Sequence, residues 1–171
     1  MNITVFPTKL SGLVTVPPSK SVAHRMVIAA ALSEGTSTIT NIYPSEDILA
    51  TMSCMRKLGA EIDFTGDRAE ITGIKDIPET AELDCGESGS TLRFLIPVAC
   101  ALGVKTTFQG RGRLPQRPIT PYLDEFPKHG ISFEYDNTMP FSVNGKLTGG
   151  KFYVDGGISS QFITGLLFAL P

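Results

Sequence analysis

Pro17-Pro18-Ser19-Lys20-Ser21-Val22-Ala23-His24-Arg25-Met26-Val27-Ile28-Ala29-Ala30-Ala31-Leu32 passes from a stiff proline entry into a run that is apolar on almost every helical face. The prolines hold the entry extended, and Ser19 or Ser21 can cap the helix that follows. A helix with no polar stripe belongs inside a domain rather than on its surface. The same cue recurs at Glu87-Ser88-Gly89-Ser90 and at Ile158-Ser159-Ser160-Gln161, each ahead of an apolar run. Ser21, Ser90 and Ser160 lie 69 and 70 residues apart. A period of that size marks a repeated supersecondary unit.

The units are about 18–86, 87–150 and 151–171. In the first, a helix over 21–32 precedes a strand over 36–42 and a helix over 45–58 with an acidic, serine-capped first turn, ended at Gly59. Strands near 61–65 and 69–72 follow. The second repeats the order with a helix over 90–102, a strand over 105–109, a helix over 121–128, and strands near 132–135 and 141–143. Pro97 is expected to kink its helix. The third opens with a strand near 151–154, turns at Gly156-Gly157 and enters a helix at Ser160. The fold class is therefore α/β, with central helices walled by strands and outer helices. Residues 1–17, with strands expected near 3–5 and 13–16, precede the repeat.

Composition adds exclusions. The chain has 171 residues, 42% hydrophobic and 19% charged, with a net charge of −2, so nothing global points to nucleic acid. Residues 46–87 hold eleven acids against four bases, whereas 88–123 hold five bases and no acid. A basic stretch within an acidic chain points to a local anion site. Cys54, Cys85 and Cys100 are scattered, which offers neither a disulfide framework nor a zinc site and suits a reducing compartment. Cys100, in an apolar run, reads as core. With no signal peptide and no apolar stretch long enough for a membrane helix, the expected home is the cytoplasm.

A helix start carries unpaired N–H groups and partial positive charge, which makes it a seat for an anion. Lys20 is poorly placed there unless an anion joins it, and Arg25 shares a face with Ser21. Gly89 lets backbone N–H groups come close to a ligand, and Arg93 follows one turn in. Among the arginines of Gly110–Ile119, Arg117 is the best candidate to point inward, and Arg111 reads as solvated. Ser159, Ser160 and Gln161 offer hydroxyls and an amide, and with no cation of their own read as a cap. His24, His129, Glu46 and Asp47 read as structural. No metal-ligand cluster is visible.

The Pro17–Arg25 stretch resembles the opening motif of the 5-enolpyruvylshikimate-3-phosphate synthase family (3-phosphoshikimate 1-carboxyvinyltransferases) of aromatic amino-acid synthesis. The glycine loop ending in Arg93, the segment Arg113-Leu114-Pro115-Gln116-Arg117-Pro118-Ile119, and Asp155–Phe162 are similar to three further motifs of the family, in the same order. The resemblance implies an inside-out α/β barrel of βαβαββ repeats, present here as two units and a fraction. It places residues 1–17 in the other domain of a longer enzyme and makes 18–171 a partial substrate-binding domain. It implies enolpyruvyl transfer from phosphoenolpyruvate to the 5-hydroxyl of shikimate-3-phosphate, with no metal or organic cofactor. Lys20 would touch both substrates. Ser21, Arg25, Ser159 and Ser160 would hold shikimate-3-phosphate, Gly89 and Arg117 phosphoenolpyruvate, and Gln161 would lie between them, with Ser90 and Arg93 in support.

Two departures stand out. Glu87 occupies a position where the family more often has Asn, and its carboxylate would repel phosphoenolpyruvate unless Arg93 or Lys20 neutralised it. The acidic pair that moves protons and the basic cluster of the other domain have no counterpart here, so the chain alone is expected to bind without turnover and to need the missing C-terminal portion. Two other readings stand beside this one. A UDP-N-acetylglucosamine enolpyruvyl transferase would carry asparagine after the motif lysine and a loop cysteine, both absent here. A non-catalytic anion-binding module is the other.

Overall fold

In the computed structural model, which describes residues 3–9 and 11–170, helix α1 (Lys20–Leu32) is followed by β1 (Thr36–Ile39), α2 (Glu46–Lys57), β2 (Glu61–Thr65) and β3 (Arg68–Thr72). Next come β4 (Thr80–Asp84), α3 (Gly89–Leu102), β5 (Lys105–Gln109), α4 (Thr120–Glu125), a 3-10 turn over Phe126–His129, β6 (Ser132–Glu134) and β7 (Phe141–Asn144). The last element is α5 (Ser160–Ala169). Counted from β4 rather than from residue 87, the second unit is βαβαββ in full, and the first has the same order from α1 onward.

Each unit builds its own sheet. The first is antiparallel with strand order β1-β3-β2, and the second runs β4-β5-β7-β6. β4 and β5 are parallel, Thr80 facing Lys105, and a parallel pair requires a crossover, which α3 supplies. β4 alternates exposed and buried residues, with Ala81 and Leu83 inward. Its acidic outer residues disguise this strand, which the sequence reading missed.

α3 is buried on nearly every face, all residues from Thr91 to Cys100 being enclosed. The expectation of a buried helix holds there and only partly elsewhere. α1 buries Val27, Ile28 and Ala31 but leaves Val22 and Met26 about half exposed, and α5 buries Phe162 but exposes Leu167. Pro97 lies within α3, which continues past it to a Gly103 cap in the left-handed region.

Three expected strands are not formed. Residues 11–17 form no strand, with Leu13, Val14 and Val16 at least 77% exposed and no sheet partner among the described residues. The same holds for 3–5. Residues 151–154 occupy the place that β4 has in the second unit but pair with no strand. A strand needs a neighbouring edge for its N–H and C=O groups; here a carboxylate stands in at one of them, buried Glu125 accepting the Tyr153 N–H at 2.9 Å. His129 stacks on Phe152 with ring centres 3.8 Å apart. Glu125 also takes Lys128 at 2.7 Å and His129 at 3.4 Å. The Lys128 ammonium and then the Tyr153 amide draw its carboxyl down to about 2. His129 is therefore structural, as read.

All three cysteines are free and buried, and burial alone raises the Cys100 thiol to about 12. Among the described residues no helix is long and apolar enough to cross a membrane, and no group of His, Cys, Asp and Glu could hold a metal.

Candidate functional site

Ser19 caps α1 through its hydroxyl, which accepts the Val22 N–H at 3.3 Å, leaving Ser21 inside the first turn. Arg25, one turn on, folds back to donate to the Ser21 carbonyl at 2.9 Å and to the Ser21 hydroxyl. Its other nitrogen reaches the Thr164 hydroxyl of α5 at 3.4 Å, and its guanidinium lies 5.2 Å from the centre of the Phe94 ring of α3. One arginine thus touches all three apolar helices.

Lys20 has a counter-charge within the chain. Its Nζ lies 2.7 Å from Oδ2 of Asp47, in the first turn of α2, which Ser45 caps. Asp47 reads locally as a first-turn acid and is one, but it is also the partner of Lys20 across 27 residues. A buried hydroxyl chain runs on from this turn. Thr51 meets the His24 Nδ1 at 2.8 Å and the Thr91 hydroxyl at 2.7 Å, and Thr91 donates to the Ser88 hydroxyl at 2.7 Å. His24 is structural, as expected: burial foremost, then the charges of Lys20 and Arg25, outweigh Asp47 and lower its pKa to about 4.

Ser88, not Ser90, caps α3 by accepting the Thr91 N–H at 3.2 Å. Ser90 is thereby free to accept the side-chain N–H of Gln161 at 2.7 Å. The Gln161 carbonyl oxygen in turn accepts from Arg93 at 2.9 Å, while the second Arg93 nitrogen donates to the Pro118 carbonyl at 3.2 Å. Arg93 is 8% exposed and sits over the Phe162 ring at 4.9 Å. Burial first, and the charge of Arg117 second, lower its pKa. The third start, read as lacking a cation, therefore borrows one from the second. Ser159 caps α5, accepting the Gln161 N–H at 3.3 Å.

Arg117 follows the short 3-10 turn Leu114–Gln116 and lays its guanidinium against the Cα of Gly89, so closely that any side chain at 89 would collide with Nη1. Arg117 is solvent-exposed rather than turned inward as expected, and its guanidinium rests at the α3 start. Arg111 is solvent-exposed, 3.7 Å from Asp84 and 4.0 Å from Glu46.

For Glu87 the structure corrects the expectation. Neither Lys20 nor Arg93 neutralises it; Lys20 is engaged with Asp47 and Arg93 with Gln161. Its carboxylate turns outward over Gly112, toward the rim formed by Glu46, Asp84 and Arg111.

The starts of α1, α3 and α5 are therefore joined by way of α2: α1 to α2 through Lys20–Asp47, α2 to α3 through Thr51–Thr91, and α3 to α5 through Ser90–Gln161–Arg93. Lys20, Arg25, Arg93 and Arg117 stand on this group, against Asp47 as its inward acid. Chemically it is a cation-rich cluster of hydroxyls and helix N–H groups, suited to a multiply charged anion.

Residues 6–171 match the family model of EPSP synthase (3-phosphoshikimate 1-carboxyvinyltransferase). The chain is 48% identical to the 3-phosphoshikimate 1-carboxyvinyltransferase of Clostridium beijerinckii over 99% of its own length and 41% of that protein's. It is 47% identical to the protein of the same name from Clostridium novyi, over 99% of this chain and 42% of the relative. A solved structure of the EPSP synthase of Acinetobacter baumannii superposes with a TM-score of 0.76 at 28% identity, covering 92% of this chain and 37% of that one. The chain thus spans about two fifths of the length of the relatives it matches. With the matched family model running through the serine-capped starts of α1, α3 and α5, the chain belongs to the EPSP synthase family.

Proposed function

We propose that this chain supplies the shikimate-3-phosphate cradle, and part of the phosphoenolpyruvate site, of a 3-phosphoshikimate 1-carboxyvinyltransferase. In that reaction the 5-hydroxyl of shikimate-3-phosphate adds to C2 of phosphoenolpyruvate while C3 gains a proton. The tetrahedral adduct then loses phosphate and a C3 proton to restore the double bond. The observation that carries the reading is the hydrogen-bonded meeting of the α3 and α5 starts, Ser90–Gln161–Arg93, beside Arg25.

In this reading Ser21, Arg25, Ser159 and Ser160 grip the 3-phosphate, and Gln161 orients the ring between the two ligands. Gly89 and Arg117 hold phosphoenolpyruvate, with Ser90 and Arg93 keeping Gln161 in place. Lys20 touches both substrates and is the chain's catalytic residue, moving from Asp47 toward the anions. Crowding several negative groups costs Coulomb energy, which a pre-set field of cations and N–H dipoles offsets.

The groups that move protons, and further basic residues, belong to the rest of a longer protein, which is the chain's main partner. Residues 1–17 pack in that other half, which accounts for their exposed Ile3, Val5, Phe6 and Leu13. A cytoplasmic location goes with the reading.

Titration of shikimate-3-phosphate into the isotope-labelled chain tests it. The amides of Ser21, Arg25, Ser159 and Ser160 are expected to shift together and saturably, and unmoved amides would reduce the chain to some other module. Mixed with both substrates, the 171 residues alone are expected to form no product until the other half is added. Product from the chain alone would show that the proton-moving groups are already here.

A further inference from the structure

Pro97 stands in the interior of α3 and has no N–H, so the carbonyl one helical turn before it, that of Arg93, loses its usual helical donor. That carbonyl is buried, where an unpaired acceptor is costly. The structure fills the gap from another element. The Tyr122 hydroxyl of α4 donates to the Arg93 carbonyl at 2.8 Å and, shared with it, to the Phe162 carbonyl of α5 at 2.9 Å.

Tyr122 is fully buried and held by its ring, tilted on Phe126 with centres 4.6 Å apart and edge-on to Phe162 at 4.9 Å. The crossing is tight. A Cβ at Gly165 of α5 would come within 2.5 Å of both the Arg93 carbonyl and the Tyr122 oxygen, and within 2.8 Å of Pro97 Cγ. One hydroxyl, one missing N–H and one missing side chain therefore meet at a single point.

This point lies directly behind the site. Arg93 is held at its carbonyl by Tyr122 and at its guanidinium by Gln161, and Phe162 follows Gln161 in α5. We propose that Tyr122 is a positioning residue: through the carbonyl that Pro97 leaves free, its hydroxyl sets the spacing between the α3 and α5 starts and so holds Gln161 on Ser90. The inference rests on the reading that these starts hold shikimate-3-phosphate, and it makes Pro97, Tyr122 and Gly165 one interdependent set.

The test is a double-mutant cycle. Tyr122→Phe keeps the ring and removes the donor. It is expected to weaken shikimate-3-phosphate binding about tenfold, the size of one net hydrogen bond, and to weaken the nuclear Overhauser contact between the Gln161 side-chain amide and Ser90 in the ligand-free chain. Adding Pro97→Ala to that variant returns an N–H to the Arg93 carbonyl but no link between the helices, so folding stability is expected to recover while both readouts stay weakened. Gly165→Ala, which retains every hydrogen-bonding group, should lose the Gln161–Ser90 contact by wedging α5 away. If Pro97→Ala restores the Gln161–Ser90 contact in Tyr122→Phe, or if Tyr122→Phe leaves that contact unchanged, the positioning role is refuted. Because that contact is read without ligand, a parent chain that bound no shikimate-3-phosphate would overturn the proposed function and leave this inference to be decided by the contact alone.

Discussion

The α1 start and the paired α3–α5 starts use the same local chemistry, a capping serine before an apolar run with an arginine close by, yet they are held in opposite ways. At α1 the cations are satisfied cheaply and near the surface. Lys20, with 56% of its side chain exposed, leans on Asp47, and Arg25 returns to Ser21 of its own helix. At the paired starts Arg93 is buried, donates to Gln161 and Pro118, and has its carbonyl plugged by Tyr122. The difference teaches a division of labour. On the proposed reading, the α3–α5 wall is assembled before any ligand arrives, while the α1 cations rest on partners that an incoming phosphate would replace.

The largest expected effect should come from breaking the assembled wall. Arg93→Met leaves the Gln161 oxygen and the Pro118 carbonyl without donors, and should lower the unfolding free energy by about 3 kcal/mol in urea titrations. Arg25→Met should cost less than about 1 kcal/mol in the same experiment, because its contacts are mostly solvent-exposed. Equal losses would erase the contrast.

Acid sharpens the comparison next. The folded pKa of His24 lies near 4 and the unfolded value near 6.5, so between them the unfolded chain binds more protons. Stability should therefore fall as pH drops from 6.5 to 4, by about 3 kcal/mol in total, and level off below. His24→Gln should remove that slope. Glu125, also depressed, contributes stability above 4.5 that is lost only as pH falls toward 2. Amides around Thr51 and Thr91 should thus lose hydrogen-exchange protection at milder acidity than that of Tyr153, and the reverse order would contradict the assignment.

Gly89→Ala pushes Arg117 off the α3 start. It should weaken phosphoenolpyruvate binding about tenfold, roughly one charge-assisted contact, while shifting stability by less than about 1 kcal/mol. The smallest effect belongs to Asp47→Asn. The Lys20 pair is largely exposed, so its loss should cost about 0.5 kcal/mol or less by chemical denaturation.

How much of this was legible in the sequence follows from how local each signal is. The helix starts were readable because a cap serine and an apolar run lie within a few residues, and Gly59, Gly103 and Gly130 punctuate the ends. The partners were not. Lys20 with Asp47, Thr51 with Thr91, and Arg93 with Gln161 join residues 27, 40 and 68 positions apart, and no periodicity encodes such contacts. Tyr122 was invisible for the same reason, although Pro97 announced that some donor would be needed at Arg93. β4 was missed because its acids mask an inward pair of Ala81 and Leu83. The strands expected at 3–5, 13–16 and 151–154 failed in the other direction, since β-branched and aromatic residues express a preference that only a neighbouring edge can satisfy.

The most direct measurement is the structure of this chain bound to shikimate-3-phosphate. The account predicts the 3-phosphate within hydrogen-bond distance of the Ser159 and Ser160 hydroxyls and of Arg25, with the Arg93–Gln161–Ser90 bonds intact and Lys20 drawn away from Asp47. A phosphate seated elsewhere, or a bound ligand that leaves Arg25 on Ser21 while Gln161 lets go of Ser90, would contradict it.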